Sequence, residues 1–213
     1  LLYCLGTYNN SMDYITGDGG FDFSFDFNKQ EQACMNLIYA QICFALAMQK
    51  QGGTFILKIF DVFTQATLDL LYILSNVYDK IHICKPNTSR TANSEKYLVC
   101  KDFRLHDSND LVIKLSQAYD HFMTGNTIHR FLNTNISYYY INRIEEYNAI
   151  FGQQQIENIN STLILIYNCK NDKIELHKKN NLQKCEQWCL KYNLPHYKNT
   201  QILNIFKIGR AHV

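Results

Sequence analysis

The chain alternates between short segments with the two-residue period of a strand and longer segments with the period of a helix. Four strands are predicted, at residues 11–17, 54–60, 78–85 and 95–101. Helices are predicted at residues 30–51 and 64–77, with Thr64 as the N-cap of the second and Gly52-Gly53 ending the first. Because strands that alternate with helices pair in parallel, residues 1–105 predict the C-terminal half of an open, mostly parallel α/β sheet.

The last two strands and the C-terminal part of the chain follow a different pattern. Too few residues join these two strands for a helix to form between them, so we expect them to pair antiparallel. Residues 107–166 show amphipathic helical spacing, and a last helix is predicted at residues 180–192. We therefore expect a mainly helical extension over residues 106–207.

In the helix at residues 30–51, the positions that recur with helical spacing are Ala33, Leu37, Ala40, Gln41, Phe44, Ala47 and Met48.

Both ends of the chain are unusual for a natural domain. The chain begins inside an apolar segment without an initiator Met, which leads us to expect a fragment of a longer protein. The last six residues, Ile-Gly-Arg-Ala-His-Val at positions 208–213, resemble a sequencing adapter translated in frame. We expect them to be an artefact and leave them out of the fold prediction.

Composition excludes several classes of protein. With 46% hydrophobic residues and two prolines among 213, the chain can form a packed core and is not disordered throughout. A net charge of +2 provides no broad basic surface, so any contact with RNA should be a local groove. The eight cysteines form no Cys-x-x-Cys motif, which predicts a reducing compartment and no metal site. No apolar stretch reaches the roughly 20 residues that span a bilayer, so no membrane association is expected.

Lys58 is the most informative residue, because it lies inside the apolar run from Thr54 to Phe60. An unpaired ammonium buried there would cost on the order of several kcal/mol. Two carboxylates are predicted at the same edge of the sheet: Asp18 follows the first strand, and Glu95 opens a strand that runs the other way. We therefore expect Lys58 between two acids, where its amine can accept or orient a hydroxyl proton.

Each of these residues also has a simpler interpretation when it is taken alone. Lys58 would fit an edge strand from which its amine reaches water. Asp18 lies between glycines, which is typical of a turn. Glu95 and Lys96 would fit an ordinary exposed pair of opposite charges. The prediction of a reaction centre therefore depends on the conjunction of the three.

Three stretches of the sequence resemble a known enzyme family. Asp18 in Gly-Asp-Gly-Gly-Phe, Lys58 in Phe-Ile-Leu-Lys-Ile-Phe-Asp and Glu95 in Thr-Ser-Arg-Thr-Ala-Asn-Ser-Glu-Lys-Tyr match three members of a four-residue motif. The motif is the Lys-Asp-Lys-Glu tetrad of FtsJ-like ribose 2′-O-methyltransferases. The continuous stretch at residues 85–101 resembles the cap-specific mRNA branch of that family. The resemblance covers roughly residues 12–105 and is weaker over the helical extension.

The resemblance implies a Rossmann-like methyltransferase sheet that uses S-adenosylmethionine to methylate a ribose 2′-OH in the first nucleotides of capped mRNA. It implies that Lys58 deprotonates or orients the hydroxyl, while Asp18 and Glu95 hold the lysine. The implied cofactor-binding residues are Asp18, Gly19 and Gly20, and the implied substrate-binding residues are Ser89, Arg90, Asn93 and Ser94. An intracellular protein is implied, nuclear or cytoplasmic, including one of a virus that replicates in the cytoplasm.

The chain departs from the family upstream of Asp18. Only 17 residues precede Asp18, and they contain neither the first lysine of the tetrad nor the glycine-rich donor-binding loop. We therefore expect this chain by itself to bind the donor poorly and to be inactive. Two alternatives stay open: a 2′-O-methyltransferase that acts on ribosomal or transfer RNA, and a non-catalytic RNA-binding or scaffold subunit with a methyltransferase fold.

The run at residues 21–27 is ambiguous. Its phenylalanines alternate with polar residues as they would in a strand. The preceding Gly19-Gly20 pair and the family resemblance favour a loop beside the active site. Asp18, Asp22 and Asp26 are four residues apart rather than two, so a calcium loop is not expected.

Overall fold

The computed structural model describes residues 1–21, 26, 29–124, 128–168 and 171–196. Within these residues the elements are α1 (Leu2–Tyr8), β1 (Met12–Gly17), α2 (Gln30–Met48), β2 (Gln49–Ile59), α3 (Gln65–Val77), β3 (Tyr78–Cys84), β4 (Lys96–Phe103), α4 (Asn109–Met123), α5 (Tyr138–Asn168) and α6 (Asn171–Lys191). The chain divides into two compact units, Leu1–Ile159 and Asn160–Val213. The predicted artefact at residues 208–213, and most of the run at residues 21–27, lie outside the described residues.

The four strands form one sheet in the spatial order β1-β2-β4-β3. β1 and β2 are parallel, whereas β4 is antiparallel to both β2 and β3. The predicted α/β fold with a helical C-terminal part is confirmed, as are the central place of β2 and the antiparallel pairing of the last two strands. The expectation of a mostly parallel sheet holds only for β1 and β2 among the described strands.

Helix α2 ends at Met48, earlier than the sequence predicts, because β2 begins before the two glycines. Gln49 is fully buried, and its side-chain amide donates to the carbonyl oxygens of Met12 (2.8 Å) and Asp13 (3.3 Å) on β1. The register between the two strands is irregular at this point. Gly52 takes a φ of +78°, a left-handed conformation that glycine adopts without a steric penalty. The glycines therefore belong to an irregular part of β2 and do not end the helix.

The core is a single cluster in which α2 and α3 pack against the sheet and α4 packs against α2. Along β2, Phe55, Leu57 and Ile59 are fully buried, which follows the predicted two-residue alternation. The predicted apolar face of α2 is only partly correct. Phe44 is exposed, whereas Ile42 is fully buried.

Asp69 of α3 is a fully buried carboxylate that fixes the segment between α4 and α5. Its hydrogen-bond donors are Gln65 Nε2 (2.9 Å), Arg130 Nη2 (3.3 Å) and the backbone N–H groups of Phe131 (2.8 Å) and Leu132 (3.1 Å). Burial opposes ionisation of this carboxyl group, but the hydrogen bonds outweigh it and lower the pKa of Asp69. The carboxylate therefore connects the sheet domain to the chain that leads into α5.

Two further helices differ from the sequence prediction. Helix α1 was not predicted, and α6 begins at Asn171, nine residues before the predicted start at residue 180. Thr64 is the N-cap of α3 as predicted, since its side-chain oxygen accepts a hydrogen bond from the backbone N–H of Thr67 at 3.3 Å.

Candidate active site

The strand directions place the three sequence-predicted catalytic residues at one rim of the sheet. Asp18 directly follows β1, Lys58 is the next-to-last residue of β2, and Glu95 directly precedes β4. The carboxyl ends of β1 and β2 lie together because these strands are parallel, and the start of β4 joins them because β4 is antiparallel to β2. In open α/β sheets this rim is where ligands bind. The catalytic role of the three residues stays a prediction.

Lys58 and Asp18 are in direct contact. Lys58 Nζ lies 2.9 Å from Asp18 Oδ1 and donates a second hydrogen bond to the backbone oxygen of Asp18 at 3.0 Å. The side chain of Lys58 is 15% exposed, whereas that of Asp18 is 68% exposed. An ammonium group has three N–H donors, and these two contacts occupy two of them. The aliphatic part of the Lys58 side chain is thus largely buried, while its ammonium group binds a carboxylate that is open to solvent.

Gly19 and Gly20 leave the backbone beside this ion pair free of side chains. A Cβ atom at Gly20 would touch Lys58 Nζ, at 3.4 Å, and a Cβ atom at Gly19 would lie only 2.9 Å from Leu37 Cδ2 of α2. The backbone N–H of Gly19 donates to Gln41 Oε1 at 3.0 Å. The two glycines therefore let the chain pass closely between α2 and the ammonium. Their assignment as cofactor-binding residues stays a prediction.

Glu95 is oriented by its own loop and not by Lys58. Its Oε1 atom accepts a hydrogen bond from Ser89 Oγ at 3.0 Å. Among the ion pairs within the described part of the chain, Lys58 pairs with Asp18 and not with Glu95. The implied contact from Glu95 to the lysine is therefore not a direct one in this structure.

Tyr97 lies beside Lys58 on the neighbouring strand, and the sequence did not identify it as part of the site. Lys58 and Tyr97 are cross-strand partners in β2 and β4, which brings their side chains to the same face of the sheet. Burial, followed by the negative charges of Glu95 and Asp18, raises the pKa of Tyr97. The phenol therefore keeps its proton at neutral pH beside the two acids. Its position two residues after Glu95, on the same side of a strand, was the signal in the sequence.

Lys85 organises the loop that carries the predicted substrate-binding residues. Its Nζ atom donates to the backbone oxygen of Glu95 (2.7 Å) and to the backbone and side-chain oxygens of Asn93 (2.8 and 2.7 Å). Burial and the charge of Lys96 lower the pKa of Lys85, while Glu95 and Asp61 oppose that shift. Lys85 opens the stretch that resembles the cap-specific branch, but only its three-dimensional contacts show what it holds.

The four predicted substrate-binding residues differ in how accessible they are. Arg90 is exposed, whereas Ser94 is buried and donates to Gln30 Oε1 of α2 at 2.9 Å. Ser89 and Asn93 are half-buried and already bonded within the loop. Of the four, Arg90 is therefore the side chain most open to a ligand, and Ser94 the least.

The interpretation of Glu95 and Lys96 as an ordinary exposed pair is wrong. Lys96 is only 5% exposed, and its Nζ atom lies 3.0 Å from Asp61 Oδ1. The period of β4 explains this, because Lys96 is in phase with the buried Leu98 and Cys100 of the same strand.

These features define an α/β domain of the Rossmann type with polar residues at the carboxyl rim of a parallel strand pair. Residues 3–103 match the FtsJ-like methyltransferase family. The chain therefore carries an FtsJ-like methyltransferase domain, as the sequence motifs predict.

Proteins similar to this chain include cap-specific mRNA (nucleoside-2′-O-)-methyltransferase 2 of Pongo abelii, which is 30% identical over 92% of this chain and 25% of that protein. Cap-specific mRNA (nucleoside-2′-O-)-methyltransferase 1 of Trypanosoma cruzi is 40% identical over 46% of this chain and 27% of that protein. The chain thus spans about a quarter of the length of these curated relatives. A crystal structure of a Plasmodium falciparum protein assigned as a ribosomal RNA methyltransferase covers 43% of this chain and 47% of that chain, at 27% identity. Its TM-score of 0.35 is too low to support a structural argument.

The described residues contain neither a candidate membrane span nor a candidate metal site. No described helix is both long enough and apolar enough to cross a membrane. Across the same parts of the chain, no three or more His, Cys, Asp or Glu side chains are grouped as metal ligands would be.

Proposed function

We propose that the full-length protein transfers a methyl group from S-adenosylmethionine to a ribose 2′-OH in the first transcribed nucleotides of capped mRNA. The observation that carries this proposal is the ion pair of Lys58 and Asp18 at the rim of an FtsJ-like domain, with Glu95 on the neighbouring strand. The names of the relatives support capped mRNA as the substrate class.

In this proposal Lys58 acts on the ribose hydroxyl. Asp18 occupies two of the three donors of the ammonium, so the third is available to orient the hydroxyl oxygen. On accepting the methyl group, the hydroxyl oxygen would lose its proton to water or to the Asp18 carboxylate, which is open to solvent beside Lys58. S-adenosylmethionine, when bound, supplies a methyl group activated by the sulfonium. Most of the acceleration then comes from positioning.

The residues at the end of β1 fit a donor that approaches Lys58 from the side of Asp18. Gly19 and Gly20 place no side chain beside the ammonium, and the Asp18 carboxylate is open to solvent. We propose that these three residues line the donor site. The methyltransferase domain would end near residue 105, with residues 106–207 as an extension, and an activity on capped mRNA would take place inside the cell.

The test is labelled methyl transfer from S-adenosylmethionine to cap-0 RNA by the full-length protein and its Lys58→Ala variant. We expect a loss of about 10²-fold or more in the variant, the range typical of a positioned acid–base group. Lys50→Ala is the matched control, because Lys50 also lies on β2 and also pairs with an aspartate at 2.9 Å, but far from the rim.

Three outcomes would contradict the proposal at different points. Equal labelling of capped and uncapped RNA would contradict cap specificity and favour ribosomal or transfer RNA as the substrate. Full activity of Lys58→Ala would show that Lys58 takes no part in the reaction. A protein that binds RNA but methylates none would be the scaffold subunit that the sequence left open.

A further inference from the structure

Lys96 is a buried lysine that the proposed reaction does not use. Its Nζ atom donates to Asp61 Oδ1 (3.0 Å), to the backbone oxygen of Ser94 (3.1 Å) and to the backbone oxygen of Phe60 (3.4 Å). Phe60 and Asp61 directly follow β2, and Ser94 directly precedes Glu95. The ammonium therefore ties the chain just after the proposed catalytic strand to the chain just before the proposed catalytic acid.

Helix α5 lies against this junction. The ring of Phe151 faces the ammonium, with Lys96 Nζ 5.7 Å from the ring centroid. Asn148, one turn earlier on the helix, donates its side-chain amide to the backbone oxygen of Val62 at 2.7 Å. The helix thus covers the buried ammonium and also binds the loop that follows β2.

The same helix face reaches the loop before β4. Gln155 Nε2 donates to the backbone oxygen of Ala92 at 3.3 Å. Asn148, Phe151 and Gln155 are spaced by three and four residues, which places them on one side of a helix. One face of α5 therefore contacts the two segments that Lys96 joins.

We propose that Lys96 and this face of α5 form a positioning brace that sets the distance between Lys58 and Glu95. The brace consists of Lys96, Asn148, Phe151 and Gln155; none of them contacts the proposed reacting atoms. Its effect on catalysis rests on the proposed function, whereas its effect on the two loops rests on the contacts alone. A helix outside the residues that match the family, 3–103, is thus part of the active-site architecture.

The first arm of the test measures amide hydrogen exchange at residues 60–62 and 92–97 in the full-length protein. We expect faster exchange in both segments for Lys96→Met and no change for Lys101→Met, since Lys101 is exposed on the same strand. Exchange that is unchanged in Lys96→Met would overturn the brace. Gln155→Ala removes one contact without disturbing the buried ammonium, so it covers the case in which Lys96→Met does not fold. We expect it to speed exchange at residues 92–95 only.

Gln155→Ala has a close control in Gln154→Ala. The neighbouring Gln154 is exposed, and its side chain lies off the bracing face. Faster exchange in the Gln155 variant but not in the Gln154 variant supports the brace. Equal exchange in the two variants overturns the part played by α5.

The second arm measures methyl-transfer kinetics. We expect Lys96→Met and Phe151→Leu to lower kcat by about 10-fold or more, because misplacement of a catalytic group on the order of 1 Å costs up to about 10²-fold. KM for RNA and for the donor should change less than about threefold, since the brace acts on the position of the loops and not on the binding of substrates. An unchanged kcat, or a loss confined to KM, would overturn the positioning role.

Lys58→Ala in the same assay separates failure of the brace from failure of the proposed function. If Lys58→Ala is inactive and Lys96→Met retains full kcat, the proposed function stands and the positioning role falls. If the wild-type protein transfers no methyl group, the proposed function falls, and hydrogen exchange alone supports or overturns the link between the two loops.

Discussion

Two lysines of β2 pair with two aspartates of the β1 segment. The two ion pairs share their distance and the exposure of the aspartate, 66% for Asp13 and 68% for Asp18, and differ in the exposure of the lysine. Lys50 and Asp13 lie 2.9 Å apart near the start of the parallel strands, and Lys58 and Asp18 lie 2.9 Å apart at their end. The side chains of the first pair are 55% and 66% exposed, whereas that of Lys58 is 15% exposed. Exposed pairs of this kind contribute at most about 1 kcal/mol.

The surroundings of the pairs separate them further. Lys58 has the Asp18 backbone oxygen as a second acceptor, two glycines at its side and Tyr97 opposite it on β4. Neither the residue types nor the distance therefore identifies a candidate site. Shelter from water, together with convergent polar groups at the rim of the sheet, does.

A third pair, Asp69 with Arg130, extends the comparison to a fully buried carboxylate whose arginine is 42% exposed, and it carries the largest expected effect on stability. Asp69 is fully buried and is held by Arg130 and two backbone N–H groups. We expect Asp69→Asn to lower the free energy of unfolding by about 2 kcal/mol, because charged hydrogen bonds are lost and an amide faces donors. Chemical denaturation at neutral pH measures this, with the exposed Asp13→Asn as the control expected to change little.

The difference in unfolding free energy between wild type and Asp69→Asn should depend on pH in one direction. The folded-state pKa of Asp69 is depressed, so its stabilisation is complete above the ordinary carboxyl pKa of about 3.9 and is lost as pH falls through the lower folded value. The difference in unfolding free energy between wild type and Asp69→Asn should therefore narrow as the pH is lowered below the ordinary carboxyl pKa of about 3.9. A gap that widens in acid would contradict the assignment.

The next largest expected effect is on methyl transfer, and it should distinguish the Lys58–Asp18 ion pair from the Lys50–Asp13 ion pair. Asp18→Asn keeps the size of the side chain but removes the charge that holds Lys58, and we expect methyl transfer to fall by about 10-fold. Asp13→Asn removes the corresponding charge from the exposed pair and should leave activity unchanged. Equal losses in the two variants would mean that net charge, and not the site, controls the rate.

The local pattern of the sequence predicted most of what positions the site. The apolar run around Lys58 predicted a central strand, and the segments before Asp18 and after Glu95 predicted its neighbours. These signals are local, since a two-residue alternation reports which side of a strand is buried. Helix α2 shows the limit of such signals. It is apolar on nearly all sides, so its spacing selected Phe44, which is exposed, and passed over Ile42, which is fully buried.

The groups that the sequence analysis missed all depend on contacts between distant segments. Lys96 is bonded to Asp61, 35 residues away, and Tyr97 faces Lys58 only because β4 pairs antiparallel with β2 in one register. Lys85 binds the backbone of Glu95 through a loop whose shape no periodicity reports. The positions of the strands could be predicted from the sequence. The polar contacts at the rim could not, because they depend on the register in which β2 and β4 pair.

The smallest expected change in methyl transfer is that of a Tyr97 variant. Tyr97→Phe removes the hydroxyl that interacts with the charges of Asp18 and Glu95, and keeps the ring in place. Since Lys58 keeps its direct contact with Asp18, we expect methyl transfer to fall only about threefold, near the worth of one ordinary hydrogen bond. The raised pKa keeps the phenol protonated, so this loss should be constant between about pH 6 and pH 9. Tyr14→Phe is the control, because Tyr14 is 78% exposed on β1. A loss that disappears toward pH 9 would show that the phenol ionises and that the acids do not hold its proton.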